Sequence, residues 1–235
     1  MAIHLQTPPD RQAPLVLCPG DPDRVALVAR DLLTDAELVT STRGLLGFTG
    51  LYRSVPVTVQ ATGMGGGSTA IVVHELIELG ARVLIRAGTT GGLQTDVRAG
   101  DLIVATTALA ADGTAVALAG EVSVPADPHV VTALRESTTG SDRRVHVGPI
   151  VTTDLFYDID PTRNGRWQTE GLLAVEMEAA VIQSLAARTG TRAGCVLAVS
   201  NTLVGDDVGW LPGRERERAT LDACRAGLDA LVAIG

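Results

Sequence analysis

Short, largely apolar runs closed by glycine or polar residues recur along the chain: Leu15 to Cys18, Val55 to Ala61, Val83 to Ala87, Leu102 to Thr106 and Cys195 to Val199. Each has the length of a strand, and a continuous, mostly apolar run suits a strand covered on both faces. Helical spacing lies between several of them. Ser68 can cap a helix through Ile71, Val72, Leu76 and Leu79 that stops at Gly80, and Val175 to Arg188 reads as a second helix ending at Gly190. A third follows Pro212, with Leu221, Cys224, Leu228, Leu231 and Val232 at near-helical intervals. The alternation predicts an α/β fold: one domain over residues 1–235, with a central mixed, largely parallel sheet flanked by helices. Residues 108–120 resist assignment, and the polar segment 158–171, with Pro161 and Gly165, reads as a loop or lid beside a site.

Charge excludes whole chemistries. The chain carries 27 acids against 19 bases, a net charge of −8, and every base is arginine. Without lysine there is no Walker lysine, no Schiff-base lysine and no lysine general base. The acidic balance argues against nucleic-acid or membrane-surface partners. Cys18, Cys195 and Cys224 are too widely spaced for a zinc knuckle or a redox pair and read as core thiols. No apolar run approaches the ~20 residues of a membrane helix and the N-terminus lacks a secretory pattern, so a cytoplasmic location is expected.

Ligands of open α/β sheets bind beyond the carboxyl ends of the strands, and four such ends stand out here. Pro19-Gly20-Asp21-Pro22-Asp23-Arg24 offers backbone N–H groups and a guanidinium to an anion, or is simply a tight turn with an exposed arginine. Ala61 to Thr69 is a glycine-rich loop entering a helix, without the context of a dinucleotide or triphosphate site. Arg86 sits inside an apolar strand, where an unpaired charge would cost several kcal/mol, so it either meets an acid or faces an anionic ligand. Thr89, Thr90 and the glycines beside it favour the ligand. The fourth end is Val175-Glu176-Met177-Glu178. On a helix, residues two apart point about 200° from each other, so one carboxylate is expected to brace the fold while the other faces the cleft. A carboxylate accepts two hydrogen bonds at once, which suits a vicinal diol.

Together the runs Pro19–Arg24, Arg43-Gly-Leu-Leu-Gly-Phe-Thr-Gly50, Gly63-Met-Gly, Arg86-Ala-Gly-Thr, Asp154-Leu-Phe-Tyr157 and Val175–Ala180 resemble the nucleoside phosphorylase-I family. The likeness extends over nearly the whole chain, to the hexameric purine enzymes and the related uridine enzymes. It implies reversible phosphorolysis of a nucleoside to free base and pentose 1-phosphate, with inorganic phosphate as co-substrate and no cofactor or metal. It further implies that Gly20, Arg24, Arg86 and Thr89 hold phosphate, joined by Arg43 from a neighbouring subunit. Met64, Met177 and Glu178 would hold the ribose, with His4 reaching the 5′ hydroxyl across a dimer interface. Phe156, Thr90, Gly91, Val175, Ser200 and Asn201 would surround the base. Arg24, Arg86 and Asn201 would act on the reacting atoms, in a homo-oligomer with shared sites, at least a dimer and by resemblance a hexamer.

The chain departs from its purine relatives at one point. They carry Ser-Asp where this chain has Ser200-Asn201. An amide cannot give up a proton, but its NH2 can donate to purine N7 or to a 6-oxo group, so 6-oxopurine nucleosides are expected over 6-aminopurines. Uridine is the alternative, because Gly88-Thr89-Thr90-Gly91 and Gly100 to Thr106 look more like uridine enzymes. Against it, the uracil-reading Gln-x-Arg pair is absent after Tyr157, although Arg163 or Arg166 offers a substitute. Two further alternatives are hydrolysis, which does not need the full arginine set, and a nucleoside-binding protein without turnover.

Overall fold

The computed structural model describes residues 2–120, 122–205 and 209–235. Strand β1 (Leu15–Cys18) leads into helix α1 (Pro22–Leu32), then β2 (Thr34–Thr40), β3 (Gly47–Tyr52), β4 (Val55–Gln60), α2 (Gly66–Glu78) and β5 (Val83–Gly92). The chain continues through β6 (Leu102–Ala111), α3 (Gly113–Ala119), β7 (Ser123–Pro125), α4 (Pro128–Ser137), β8 (Val145–Thr153) and α5 (Arg163–Thr169). It ends with β9 (Ala174–Glu176), α6 (Ala179–Thr189), β10 (Arg192–Thr202) and α7 (Gly213–Ile234). The strands join one sheet in the order β10-β6-β8-β9-β5-β1-β4-β3-β2, with β7 on β6; because β10 also pairs with β5, five strands close into a ring. The two longest ladders, β5–β10 and β6–β8, are parallel, whereas β2–β3–β4, β6–β10 and β5–β9 are antiparallel. The sheet is therefore mixed and flanked by helices, as the alternation of runs and helical spacing predicts.

Both faces are covered, which is why the central strands read as continuous apolar runs. Val16, Leu84 and Leu197 join one core with residues of α2, α3 and α6. Their neighbours Leu17, Ile85 and Val196 join the other, with α1, α4 and α7. Burying a leucine or isoleucine contributes about 1.5–3 kcal/mol, so the pleat of three strands alone anchors two helical layers. Cys18, Cys195 and Cys224 are all buried free thiols; burial pushes Cys18 and Cys224 up to about 12, and they are inert at neutral pH.

Several local expectations differ from the structure. Gly65, not Ser68, caps α2, and the Ser68 hydroxyl instead donates to the Thr62 carbonyl at 2.6 Å. The helix expected over Val175 to Arg188 divides into strand β9 and helix α6, with Gly190 closing α6 in the left-handed conformation. Residues 108–120 finish β6 and form α3, whose N-cap Asp112 accepts from the Ala115 N–H. Segment 158–171 is not all loop, since α5 drops Trp167 into a small core with Leu93, Val151 and Leu172. Strands β2 and β8 have no long apolar run: β2 lies exposed at the sheet edge and β8 contains Gly148 and Pro149. Among the described residues, no helix is long and apolar enough to cross a membrane.

Candidate active site

Strands β1, β4, β5 and β10 run parallel, so their carboxyl ends open on one edge, while β9 returns antiparallel along β5. The turn after β1 and the loop after β4 zip together: Thr62 N–H donates to Pro19 and Gly63 N–H to Gly20 (2.9 and 3.0 Å). A side chain on Gly20 would put its Cβ 3.0 Å from the Gly63 carbonyl oxygen, so close approach explains this glycine. Asp21 caps α1 and brings Arg24, mostly buried, into the first turn.

Room for a guanidinium inside the sheet comes from small neighbours. Arg86 lies in register with Cys18 on one side and Cys195 on the other. Two residues on, Gly88 leaves the space where a Cβ would fall 2.7 Å from Arg86 Nη2. The register sets Gly91 opposite Val175, and β9 thereby carries its acids back along β5 to this guanidinium. Arg86 Nε donates to Glu176 Oε2 at 2.6 Å, and Arg86 Nη2 meets Glu178 Oε2 at 2.5 Å. Glu176 also accepts from the Thr152 hydroxyl and from the N–H groups of Glu178 and Ala179. Its carboxylate is thus bound on every side and braces the junction. Glu178 additionally accepts from the Gly65 N–H at 2.6 Å.

Helical spacing predicts carboxylates that face apart, yet Glu176 ends a strand and Glu178 is the N-cap of α6, so both reach one arginine. Of the partners open to Arg86, the structure shows acids, and two of them. Burial alone would push the Arg86 pKa down, but Glu178 and Glu176 raise it above its ordinary value. Burial, helped by the Glu176 charge, raises the Glu178 carboxyl against the opposing pull of Arg86. Arg24 is lowered by burial first; Arg86 adds to that, while Cys224, Asp21 and Glu178 oppose it. Arg24, Arg86, Glu178 and the Gly63–Gly65 loop therefore form one electrostatic group.

A second group adjoins it. Thr90 Oγ1 donates to the Val175 carbonyl at 2.7 Å, and Asn201 lies in register with Gly91. The Ser200 hydroxyl is shared between the Thr90 carbonyl (3.1 Å) and Oδ1 of Asn201 (3.0 Å), which leaves the amide NH2 as the donating side of Asn201. Thr90, Gly91, Val175, Ser200 and Asn201 are thus contiguous, and Thr89 and Met177 are half-buried beside them. Phe156 is 60 % exposed, with its ring 6.3 Å from that of Trp210. Trp210 in turn bridges Asn201 by backbone pairing. From the sequence, Trp167 and Trp210 each either close over a base or merely pack; Trp167 packs in the small core, and the pairing with Asn201 sets Trp210 beside this group.

Other expected residues stand apart in a single chain. Arg43 is exposed on the turn Thr42–Gly44 with a φ of 58°, and His4 is held against Glu75; Met64, though exposed, directly precedes Gly65, which binds Glu178. Arg163 pairs with Asp158 (2.8 Å) and Arg166 with Asp160 (2.7 Å), so both arginines proposed for uracil are engaged by acids of their own segment. Arg214, Arg216 and Arg218 are exposed at the start of α7. His74 lies 3.3 Å from Glu78 and His146 2.9 Å from Asp101. No cluster of three or more metal-ligating side chains occurs among the described residues.

Comparison with known proteins adds an independent finding. The family model described as Phosphorylase superfamily matches residues 14–233. A protein of Jannaschia sp. (strain CCS1), named purine nucleoside phosphorylase DeoD-type, is 38% identical over 98% of this chain and 99% of its own. One of the same name from Geobacillus kaustophilus is 36% identical over 100% of both chains. A protein of Halorubrum lacusprofundi, named guanosine phosphorylase, is 37% identical over 94% of this chain and 93% of its own.

Proposed function

The chain belongs to the phosphorylase superfamily, and from that premise we propose that it catalyses reversible phosphorolysis of purine nucleosides, 6-oxopurines favoured. The observation that carries the reading is a buried Arg86 gripped by Glu176 and Glu178 with Arg24 in the same field. Arg24 and Arg86 together balance Glu176 and Glu178, so an anion bound beside them is not repelled by uncompensated acids, and the surplus positive charge for a phosphate dianion comes with Arg43 of a second copy. Inorganic phosphate is held by Arg24, Arg86, Thr89 and the N–H of Gly20, with Arg43 of a second copy closing the site. Glu178 takes the ribose 2′ and 3′ hydroxyls, and Met64 and Met177 line the sugar. A phosphate oxygen then bonds to C1′ as the C1′–N bond breaks, and its negative charge stabilises the oxocarbenium-like state between. The electron pair leaves with the base, and the Asn201 amide donates to N7 or the 6-oxo group. Phe156 stacks near the base, with Thr90, Gly91, Val175 and Ser200 around it.

Sharing of sites between copies is part of this proposal. Helix α2 starts beside Glu178 at Gly66 and reaches Glu75, which holds His4, nine residues later. At 1.5 Å per residue that is roughly 14 Å, beyond the reach of an imidazole. His4 thus serves the ribose of another copy, and the smallest complete unit is a dimer. The uridine alternative has less support: the named relatives are purine or guanosine enzymes, and Arg163 and Arg166 are already paired.

The test is a panel of inosine, guanosine, adenosine and uridine assayed with phosphate. Inosine and guanosine are expected to be cleaved fastest; adenosine cleaved much faster than inosine would remove the 6-oxo preference, and uridine leading would replace the purine reading. In Asn201→Asp, a carboxyl able to protonate N7 replaces an amide that is not. The adenosine-to-inosine ratio of kcat/KM is expected to rise about tenfold to a hundredfold, and an unchanged ratio would show that this position does not read the base.

A further inference from the structure

The N-terminal segment is held by a single buried carboxylate. Glu75, on the inner side of α2 and 5% exposed, accepts from the backbone N–H groups of Ile3 (3.0 Å), His4 (2.9 Å) and Leu5 (2.8 Å). The same carboxylate lies 2.7 Å from Nδ1 of the His4 ring. The Thr40 hydroxyl donates to the Leu5 carbonyl, and the Leu5 side chain is fully buried. The backbone of residues 3–5 and the side chains of His4 and Leu5 are thus fixed. Burial pushes the Glu75 carboxyl up, but the N–H groups of Leu5, His4 and Ile3 and the His4 ring outweigh it and hold it below the ordinary carboxylate range.

An ionised carboxylate accepts hydrogen bonds and cannot donate one. Nδ1 of His4 must therefore carry the hydrogen, and in the neutral form of the ring Nε2 is an acceptor, at the opposite edge of a side chain that is 34% exposed. We infer that Glu75 is a positioning residue for the nucleoside 5′ hydroxyl: it fixes the orientation and tautomer of His4 so that Nε2 accepts the hydroxyl hydrogen of a ribose bound in a second copy of the chain. The ligand class follows from that polarity. A sugar with a 5′ donor is favoured, and one with hydrogen or a thioether at C5′ leaves Nε2 without its partner. This rests on the phosphorylase reading and on His4 as the residue at the 5′ position.

The experiment compares inosine with 5′-deoxyinosine in the wild type, His4→Ala, Glu75→Gln and the double variant, each checked for folding by its thermal transition. The inosine-to-5′-deoxyinosine ratio of kcat/KM is expected to fall about tenfold in both single variants, the size of one lost hydrogen bond to a fixed partner. The double variant is expected to fall no further than His4→Ala. A merely structural Glu75 would lower both substrates together and leave the ratio alone. A ratio lost in His4→Ala but kept in Glu75→Gln overturns the role of Glu75 while His4 stands. A ratio unchanged in His4→Ala overturns both. Absence of phosphate-dependent release from either nucleoside in the wild type overturns the phosphorylase reading itself. A measurement on the wild type covers a Glu75 variant that fails to fold: nitrogen NMR of the imidazoles, with His4 assigned from His4→Ala, is expected to find the Nδ1–H tautomer, and the Nε2–H tautomer would overturn the inference.

Discussion

Changing Arg86 to alanine is expected to lower phosphate-dependent release of base from inosine by about 10³-fold or more, the scale of losing a charged group that holds a transferring phosphate. It is also expected to destabilise the protein by about 3–5 kcal/mol, because Glu176 and Glu178 would remain buried without their counter-charge. The two effects have one cause, since the guanidinium that would hold phosphate also neutralises the acids. They separate by pH. Burial already raises the Glu178 carboxyl against the pull of Arg86; without that pull its folded-state pKa lies further above the unfolded value, so the folded form binds the extra proton and stability falls as pH rises between the two. The thermal-melting deficit against wild type is therefore expected to be smaller at pH 5 than at pH 8. A deficit independent of pH would mean that the acids find other partners, and retention of most activity would remove Arg86 from the phosphate site. Arg86→Lys keeps the charge but not the planar fork that meets Glu176 through Nε and Glu178 through Nη2, so it is expected to recover stability better than turnover.

Replacing Glu178 with glutamine is expected to cost about 10²–10³-fold in kcat/KM for inosine, since two hydroxyl contacts to a carboxylate become contacts to a neutral amide. The loss should be smaller for 2′-deoxyinosine, which presents only one of those hydroxyls. Steady-state kinetics on the pair measure this, and equal losses on both nucleosides would place Glu178 outside the sugar site. The neighbouring acid has a different role. Glu176 is bound by Arg86, Thr152 and two backbone N–H groups, so Glu176→Gln is expected to lower the melting temperature more than it changes discrimination between sugars.

Strands with both faces covered were legible in the sequence because burial on two sides leaves no polar alternation, as in Val83–Ala87 and Cys195–Val199. Edge strand β2 was not, because solvent removes that constraint. Strand β9 was hidden for another reason: three residues beside a helix carry too little pattern to separate from it. Within the site, Gly20, Arg24, Arg86 and Glu178 stood out because glycines and charges at strand ends violate the apolar pattern around them. Their mutual arrangement did not follow from spacing, since Arg86 and Glu176 are 90 residues apart in the chain and only the antiparallel return of β9 brings them together. Trp167 and Trp210 were indistinguishable in the sequence for the same reason, since only the packing of Trp167 under α5 and the pairing of Trp210 with Asn201 separate them.

Everything proposed for this chain turns on phosphate as the second substrate at the arginine pair. Base release from inosine should be followed with and without inorganic phosphate, with phosphorus NMR on the products. The account predicts release that depends on phosphate and saturates with it, and one pentose 1-phosphate formed per base freed. Equal rates in phosphate-free buffer with free ribose as the product would contradict it.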